Sequence, residues 1–201
     1  MTKFETAKKV LQKQDGIAKT SDFIAAGLDR SVLSKLCKEN KLTRIRYGLY
    51  QLADNYDISE PQYISVIFPE GIVCLYSALF YYGYSDFTPR EWSIAFPRTV
   101  SQKKMKTDII PFKAYYYQNA DFDVGKTVGI FDGVSLPIYD RERTICDCFK
   151  YRTKMDNEVF AKAINAYASD KNKNLNNLSK YAKRLKIHKK VTETMEVLLN
   201  G

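Results

Sequence analysis

DRSVLSKLCKEN, residues 29–40, decides the reading of this chain. At helical spacing Leu33, Leu36, Cys37 and Asn40 fall on one side, and Ser31, Ser34, Lys35 and Lys38 on the other. One side suits a core and the other is cationic and hydroxylated. Asp29 stands where an N-cap belongs, and Gly27 supplies the tight turn from the preceding segment TSDFIAA, whose Thr20 reads as a second N-cap and whose Phe23 and Ile24 read as buried contacts. Two short helices joined through Gly27-Leu28 form a helix-turn-helix. Downstream, LTRIRYGLYQL, residues 42–52, alternates and turns at Tyr47-Gly48, the pattern of a β-hairpin wing. Upstream, a helix over Phe4–Lys13 carries a Thr2/Glu5 capping box and an apolar stripe of Phe4, Ala7, Val10 and Leu11, with Ile17 as a short strand or hydrophobic stop. The expectation is a winged helix-turn-helix.

In such a fold the second helix of the pair, expected over Arg30–Glu39, enters the major groove of DNA. Arg30, Ser31, Ser34 and Lys35 are then the candidates for base edges and Lys38 for phosphate. Arg44 and Arg46, two apart on a strand, are expected on one face over a backbone or minor groove, with Ile45 and Tyr47 on the other. A charged hairpin edge that only prevents strand pairing is the competing reading of the two arginines. A DNA partner gives one reason for both clusters.

Charge divides the chain further. The total is +9, but residues 1–53 hold 11 Lys/Arg against 5 Asp/Glu, residues 54–140 hold 7 against 11, and residues 141–201 hold 14 against 7. Two basic ends flank an acidic middle. A polyanion could be met by both ends, which makes Lys180, Lys183, Arg184 and Lys186 further candidate DNA contacts. The alternative is a set of solvated helices. Hydrophobic residues make up 45% and charged residues 27%, enough apolar material for real cores.

The domain expectation is a winged helix-turn-helix over residues 1–53, a linker over 54–61 (DNYDISEP), and an α+β domain over 62–201 with a small sheet and late helices, an α+β fold class throughout. In the last part, residues 62–68 read as helix or strand and Ile72–Tyr82 as a helix. Strands are expected at 92–96, 109–117, 128–131 and 134–138, the last two joined by the hairpin signal Asp132-Gly133. Helices are expected over 139–152, 156–168, 174–185 and 188–199.

Chemistry is sparse. Asp132, Asp140, Glu142 and Asp147 with Lys150 are the one constellation a metal-dependent nuclease could use, and such an enzyme, targeted by the winged helix, is the alternative function. Against it, Asp132 suits a turn, Asp140 an N-cap, and Glu142-Arg143 a solvated first turn. The single histidine, His188, sits among lysines and reads as a surface residue. Cys37, Cys74, Cys146 and Cys148 lack metal-site spacing and read as reduced thiols. No phosphate-binding glycine loop occurs. Among fifteen tyrosines, Tyr115-Tyr116-Tyr117 suggests base stacking, but alternation on a strand places at least one face in a core. The expectation is no enzyme, no metal and no cofactor. MTKFETAKKV is not a secretory leader, and no stretch suits a membrane span, so the expected location is the cytoplasm.

With these segments laid out, the chain resembles the AbiEi antitoxins of type IV toxin–antitoxin and abortive-infection systems, which act in phage resistance. The likeness rests on GIAKTSDFIAAGLDRSVLSKLCKENKLTRIRYGLYQL (16–52), then YSALFYYGYSD (76–86), the strand ending in AFPR (95–98), and LPIYDRERTICDCFKYR (136–152), in that order. The resemblance implies a transcriptional repressor that binds inverted repeats in double-stranded DNA of its own promoter and so autoregulates its operon. It also implies a C-terminal domain that counters a nucleotidyltransferase-like toxin without a stable complex, and a chain that is a monomer in solution and binds DNA cooperatively.

Overall fold

The computed structural model describes residues 2–54, 57–101 and 107–200, and within them the chain divides into two compact units. One comprises residues 1–69 with 105–109, the other residues 70–104 with 110–201. Of the expected linker, Asn55 and Tyr56 lie outside the described residues.

The first unit opens with α1 (Lys3–Lys13), started by the Thr2/Glu5 capping box. A two-residue strand β1 (Ala18–Lys19) leads into α2 (Thr20–Ala25). Thr20 is the first helical residue, not the cap: the cap position is Lys19, whose N–H donates to Asp22 Oδ2 at 2.7 Å. Gly27, at φ +83, makes the turn into α3 (Arg30–Lys38), where Asp29 accepts the Val32 N–H at 2.9 Å. Val32, Leu33 and Leu36 are buried. Asn40, expected on the apolar side, is instead exposed at φ +51, in the left-handed conformation that ends a helix. The hairpin follows as β2 (Leu42–Arg46) and β3 (Leu49–Leu52), turning through Gly48 at φ +79, and the sheet order is β1-β3-β2. Phe23 and Leu33 are fully buried in a core with Leu11, Leu28, Leu36 and Tyr50, whereas Ile24 is 51% exposed, contrary to the expectation that it packs inward. α4 (Glu60–Ile67) completes the unit, with Pro61 in its first turn and Tyr63 donating its hydroxyl to Gln51 Oε1 at 2.7 Å.

The hairpin also departs from simple alternation. A bulge shifts the β2–β3 register between Arg44 and Arg46. Ile45 is buried at 8% exposure while Tyr47 is 84% exposed, so these two do not share an environment as alternation predicted.

The second unit is built on a mixed five-stranded sheet of order β6-β5-β4-β8-β7. In sequence its elements are β4 (Ile72–Val73), α5 (Leu75–Tyr81), β5 (Trp92–Pro97), β6 (Phe112–Tyr117), α6 (Asn119–Phe122), β7 (Lys126–Phe131), β8 (Val134–Tyr139), α7 (Arg141–Lys150), a 3₁₀ turn at Arg152–Lys154, α8 (Asn157–Ser169), α9 (Leu175–Arg184) and α10 (His188–Asn200). β4 pairs parallel with β8 and antiparallel with β5, β5 pairs parallel with β6, and β7–β8 is the hairpin turning at Asp132-Gly133 with φ +47 and +81. The segment expected as one helix from Ile72 divides into a strand pairing inside the sheet and a shorter helix after Cys74.

α7 is the central helix, with every residue from Glu142 to Phe149 buried. The expected solvated first turn is therefore overturned: Glu142 is 5% exposed and Arg143 fully buried. Arg143 Nε pairs with Asp147 Oδ1 at 3.1 Å, its Nη1 donates to the carbonyls of Asp121 and Val124, and its guanidinium lies 4.3 Å from the Tyr139 ring centroid and 4.9 Å from that of Tyr117. A residue expected in water is held instead by carbonyls, a carboxylate and two aromatic faces.

Candidate nucleic-acid interface

The polar side of α3 and the hairpin meet in one open cleft of about 610 Å³ in the first unit. α3 contributes Arg30 and Ser34, the hairpin Arg44, Arg46 and Tyr47, and the start of α2 Lys19, Thr20 and Ser21. Four residues singled out from sequence, Arg30, Ser34, Arg44 and Arg46, are thus brought together. Ser31, Lys35 and Lys38 are exposed on α3 but do not line the cleft.

Each side chain is held differently. Asp29 caps α3 and also accepts the Ser31 hydroxyl at 2.6 Å, so Ser31 is tied to the helix start. Those two bonds, Ser31's first, hold the Asp29 carboxyl below the usual carboxylate range. Lys35 lies 3.9 Å from Glu39 with its side chain 78% exposed, and Glu39 also takes Lys41 at 2.8 Å, which lowers the Glu39 carboxyl. Such an exposed contact holds Lys35 weakly. Arg44 is exposed and lies 4.8 Å from the Tyr47 ring centroid, a stacking arrangement at the hairpin turn. Arg46 is half-buried and donates from Nη1 to the Ile67 carbonyl at 2.6 Å. The two arginines therefore differ: one guanidinium is open to a partner and the other is partly committed to the end of α4.

Sequence reasoning did not single out Lys19, Thr20, Ser21 and Tyr47 for this surface. Thr20 reads from sequence only as an N-cap, and Tyr47 only as part of the hairpin turn. Thr20 donates its N–H to the Gly48 carbonyl at 2.9 Å, and that tertiary bond places the α2 start against the hairpin turn.

The basic candidates near the C-terminus lie on the second unit. Lys180, Lys183 and Arg184 sit on α9 at spacings that share a helix side, and Lys186 follows at φ +59. Lys180, Lys183 and Lys186 are exposed. Arg184 donates from Nε to Asp121 Oδ1 and from Nη2 to the Ala120 carbonyl, both at 3.1 Å, so part of its donor set is engaged.

The carboxylates considered for metal chemistry each have another use. Asp132 lies exposed in the β7–β8 turn. Asp140 caps α7 through the Arg143 N–H and accepts the Tyr181 hydroxyl, burial pushing its carboxyl up. Glu142 accepts the Tyr167 hydroxyl and the Asn174 N–H, while Asp147 takes Arg143 and the Tyr117 hydroxyl. Among the described residues no three His, Cys, Asp or Glu side chains stand together as a metal-binding group. Lys150 lies 4.7 Å from the Tyr117 ring centroid, and His188 faces Ser179 across 3.4 Å. No helix among the described residues is long and apolar enough to cross a membrane.

Residues 5–53, the segment that carries α1, the helix pair and the hairpin, match the family described as transcriptional regulator, AbiEi antitoxin. No curated protein matches the chain. Among solved structures, the RV2827C protein from Mycobacterium tuberculosis aligns with a TM-score of 0.61 over 88% of this chain and 69% of that one, at 12% identity, which is a likeness of fold alone. Over residues 5–53 the chain is similar to the AbiEi antitoxin family of transcriptional regulators.

Proposed function

We propose that the first unit is a winged helix that binds double-stranded DNA in a sequence-specific manner, with α3 in the major groove and the β2–β3 hairpin as the wing. The observation that carries this reading is the joint lining of one open cleft by Arg30 and Ser34 of α3 with Arg44 and Arg46 of the hairpin. A duplex backbone wants cations on a convex helix and an adjoining arm, and base edges want donors on the same helix. The order helix, strand, helix, helix, hairpin, with sheet order β1-β3-β2, provides both. Arg30, Ser31, Ser34 and Lys35 are assigned to base edges, Lys38, Arg44 and Arg46 to the sugar-phosphate backbone or minor groove, and Lys180, Lys183, Arg184 and Lys186 to supplementary phosphate contacts.

The DNA is the inverted repeats of its own promoter, the effect is repression of its own operon, and the second unit acts as the antitoxin module against a nucleotidyltransferase-like toxin without a stable complex. The family match over residues 5–53 supports this reading. A full-length double variant, Arg30→Ala with Arg44→Ala, separates the two roles. It is expected to lose repression of a reporter driven by its own upstream region while still protecting cells from the toxin encoded beside it. Loss of protection together with repression, in a variant that still folds, would contradict the division.

A further inference from the structure

In the second unit a pocket of about 260 Å³ opens at the β6 edge of the sheet, and none of the residues assigned to DNA lines it. Its walls include the tyrosines Tyr76, Tyr115 and Tyr151, and Lys113 and Lys154 also line it. The Tyr115 and Tyr151 rings meet edge to face at 5.3 Å, and Lys113 Nζ lies 5.8 Å from the Tyr115 ring centroid. Lys113 and Lys154 are both exposed, and among the described residues neither forms an ion pair. Of the nearby carboxylates, Glu91 acts on Tyr115 and Asp156 on Tyr76 at electrostatic range.

The strand edge adds hydrogen-bonding groups. Trp92 donates its N–H to the Pro111 carbonyl and Arg98 to the Tyr117 carbonyl, both at 2.9 Å, so the odd-numbered residues of β6 carry the bonds to β5. The backbone N–H and C=O of Ala114 and Tyr116 consequently point away from β5 on the free side of the edge strand, and both residues line the pocket. Aromatic walls, two cations without an acidic partner and a strip of outward backbone donors and acceptors therefore occur together in a space suited to one planar ring system.

We propose that this pocket binds a nucleoside monophosphate, its base against the tyrosines with its edge toward the β6 backbone, and its phosphate at Lys113 and Lys154. The same chemistry is offered by a free mononucleotide and by an unpaired nucleotide of a strand. Stacking on aromatic rings tolerates any base, whereas the two ammonium groups require the phosphate. The inference is independent of the DNA reading of the first unit.

Isothermal titration of the full chain with deoxyadenosine monophosphate, deoxyadenosine, inorganic phosphate and a short single-stranded oligodeoxyadenylate tests it. The monophosphate is expected to bind at one site, more tightly than either the nucleoside or phosphate. Lys113→Gln with Lys154→Gln is expected to weaken it about tenfold or more, because hydrogen bonds to charged groups are lost. Both lysines are exposed, so the unfolding midpoint and the affinity for the upstream duplex stay unchanged in that variant. Tighter binding of the oligonucleotide with the same lysine dependence supports the site and identifies a strand as its source. No binding of any probe at millimolar concentration, equal binding of phosphate or nucleoside, or an affinity indifferent to the lysine pair would overturn the proposal.

Discussion

Arg46 donates from Nη1 to the backbone carbonyl of Ile67 at 2.6 Å, tying the hairpin to the last residue of α4 within the first unit. Among the described residues Arg44, two residues earlier, makes no such bond and stacks on the exposed Tyr47. The bulge between them sends two similar side chains to different tasks. Arg46→Ala is therefore expected to lower the stability of the first unit by about 1–3 kcal/mol, since a charged hydrogen bond is lost and a carbonyl is left without its donor. Arg44→Ala is expected to leave stability within about 0.5 kcal/mol of the parent and to weaken DNA binding. Urea denaturation followed by far-UV circular dichroism, beside a binding titration, distinguishes the two. Equal stability losses would contradict the assignment.

The buried Arg143–Asp147 pair predicts a larger effect. Both side chains have no exposed surface, and Arg143 also satisfies two loop carbonyls. Arg143→Met leaves Asp147 as an uncompensated buried acid and is expected to cost about 3–5 kcal/mol. Adding Asp147→Leu to that variant should recover part of the loss, because the stranded charge is removed. Unfolding midpoints of the single and double variants check this, and strict additivity would show that the pair is not coupled.

Asp170 gives a pH signature. It accepts the Tyr84 hydroxyl at 2.5 Å and Arg141 Nε at 3.0 Å, and these partners, Tyr84 first, hold its carboxyl below the usual carboxylate range. A carboxyl whose folded-state value is depressed stabilises the fold above its unfolded value of about 3.9, and that contribution disappears as pH falls through the folded value. The stability gap between the parent and Asp170→Asn should therefore be largest above pH 5 and narrow as the pH falls below about 4. Urea midpoints measured across that range provide the check, and a constant gap would count against the ionised contact.

Local signals made much of the first unit legible. The Thr2/Glu5 capping box, the Asp29 cap, the Tyr47-Gly48 turn and the Leu33/Leu36 stripe are each contained within a few residues, and each recurs in the structure. The Asp132-Gly133 hairpin was legible for the same reason. What escaped depends on distant partners. Parallel pairing of Val73 with Ile138 joins strands far apart in sequence, so the mixed order of the second sheet leaves no short-range trace. Glu142 and Arg143 look like a solvated helix start until β8, α8 and α9 enclose them, and nothing between residues 44 and 47 announces that Arg46 will reach Ile67. The candidate interface follows the same division: Arg30 and Ser34 were readable from helix periodicity, whereas Lys19, Thr20 and Ser21 join the cleft only through pairing with the hairpin.

Binding of duplex DNA by the α3 and hairpin surface is tested most directly by fluorescence anisotropy on the chain's own upstream duplex across a salt series. Affinity is expected to fall steeply with salt, with each cation that meets a phosphate adding about 0.9 to the log–log slope. Arg44→Ala should reduce that slope by about one, and Lys35→Ala should lower affinity by about 1–3 kcal/mol while relaxing sequence preference. A flat salt response, or a slope and affinity unchanged in both variants, would contradict the account.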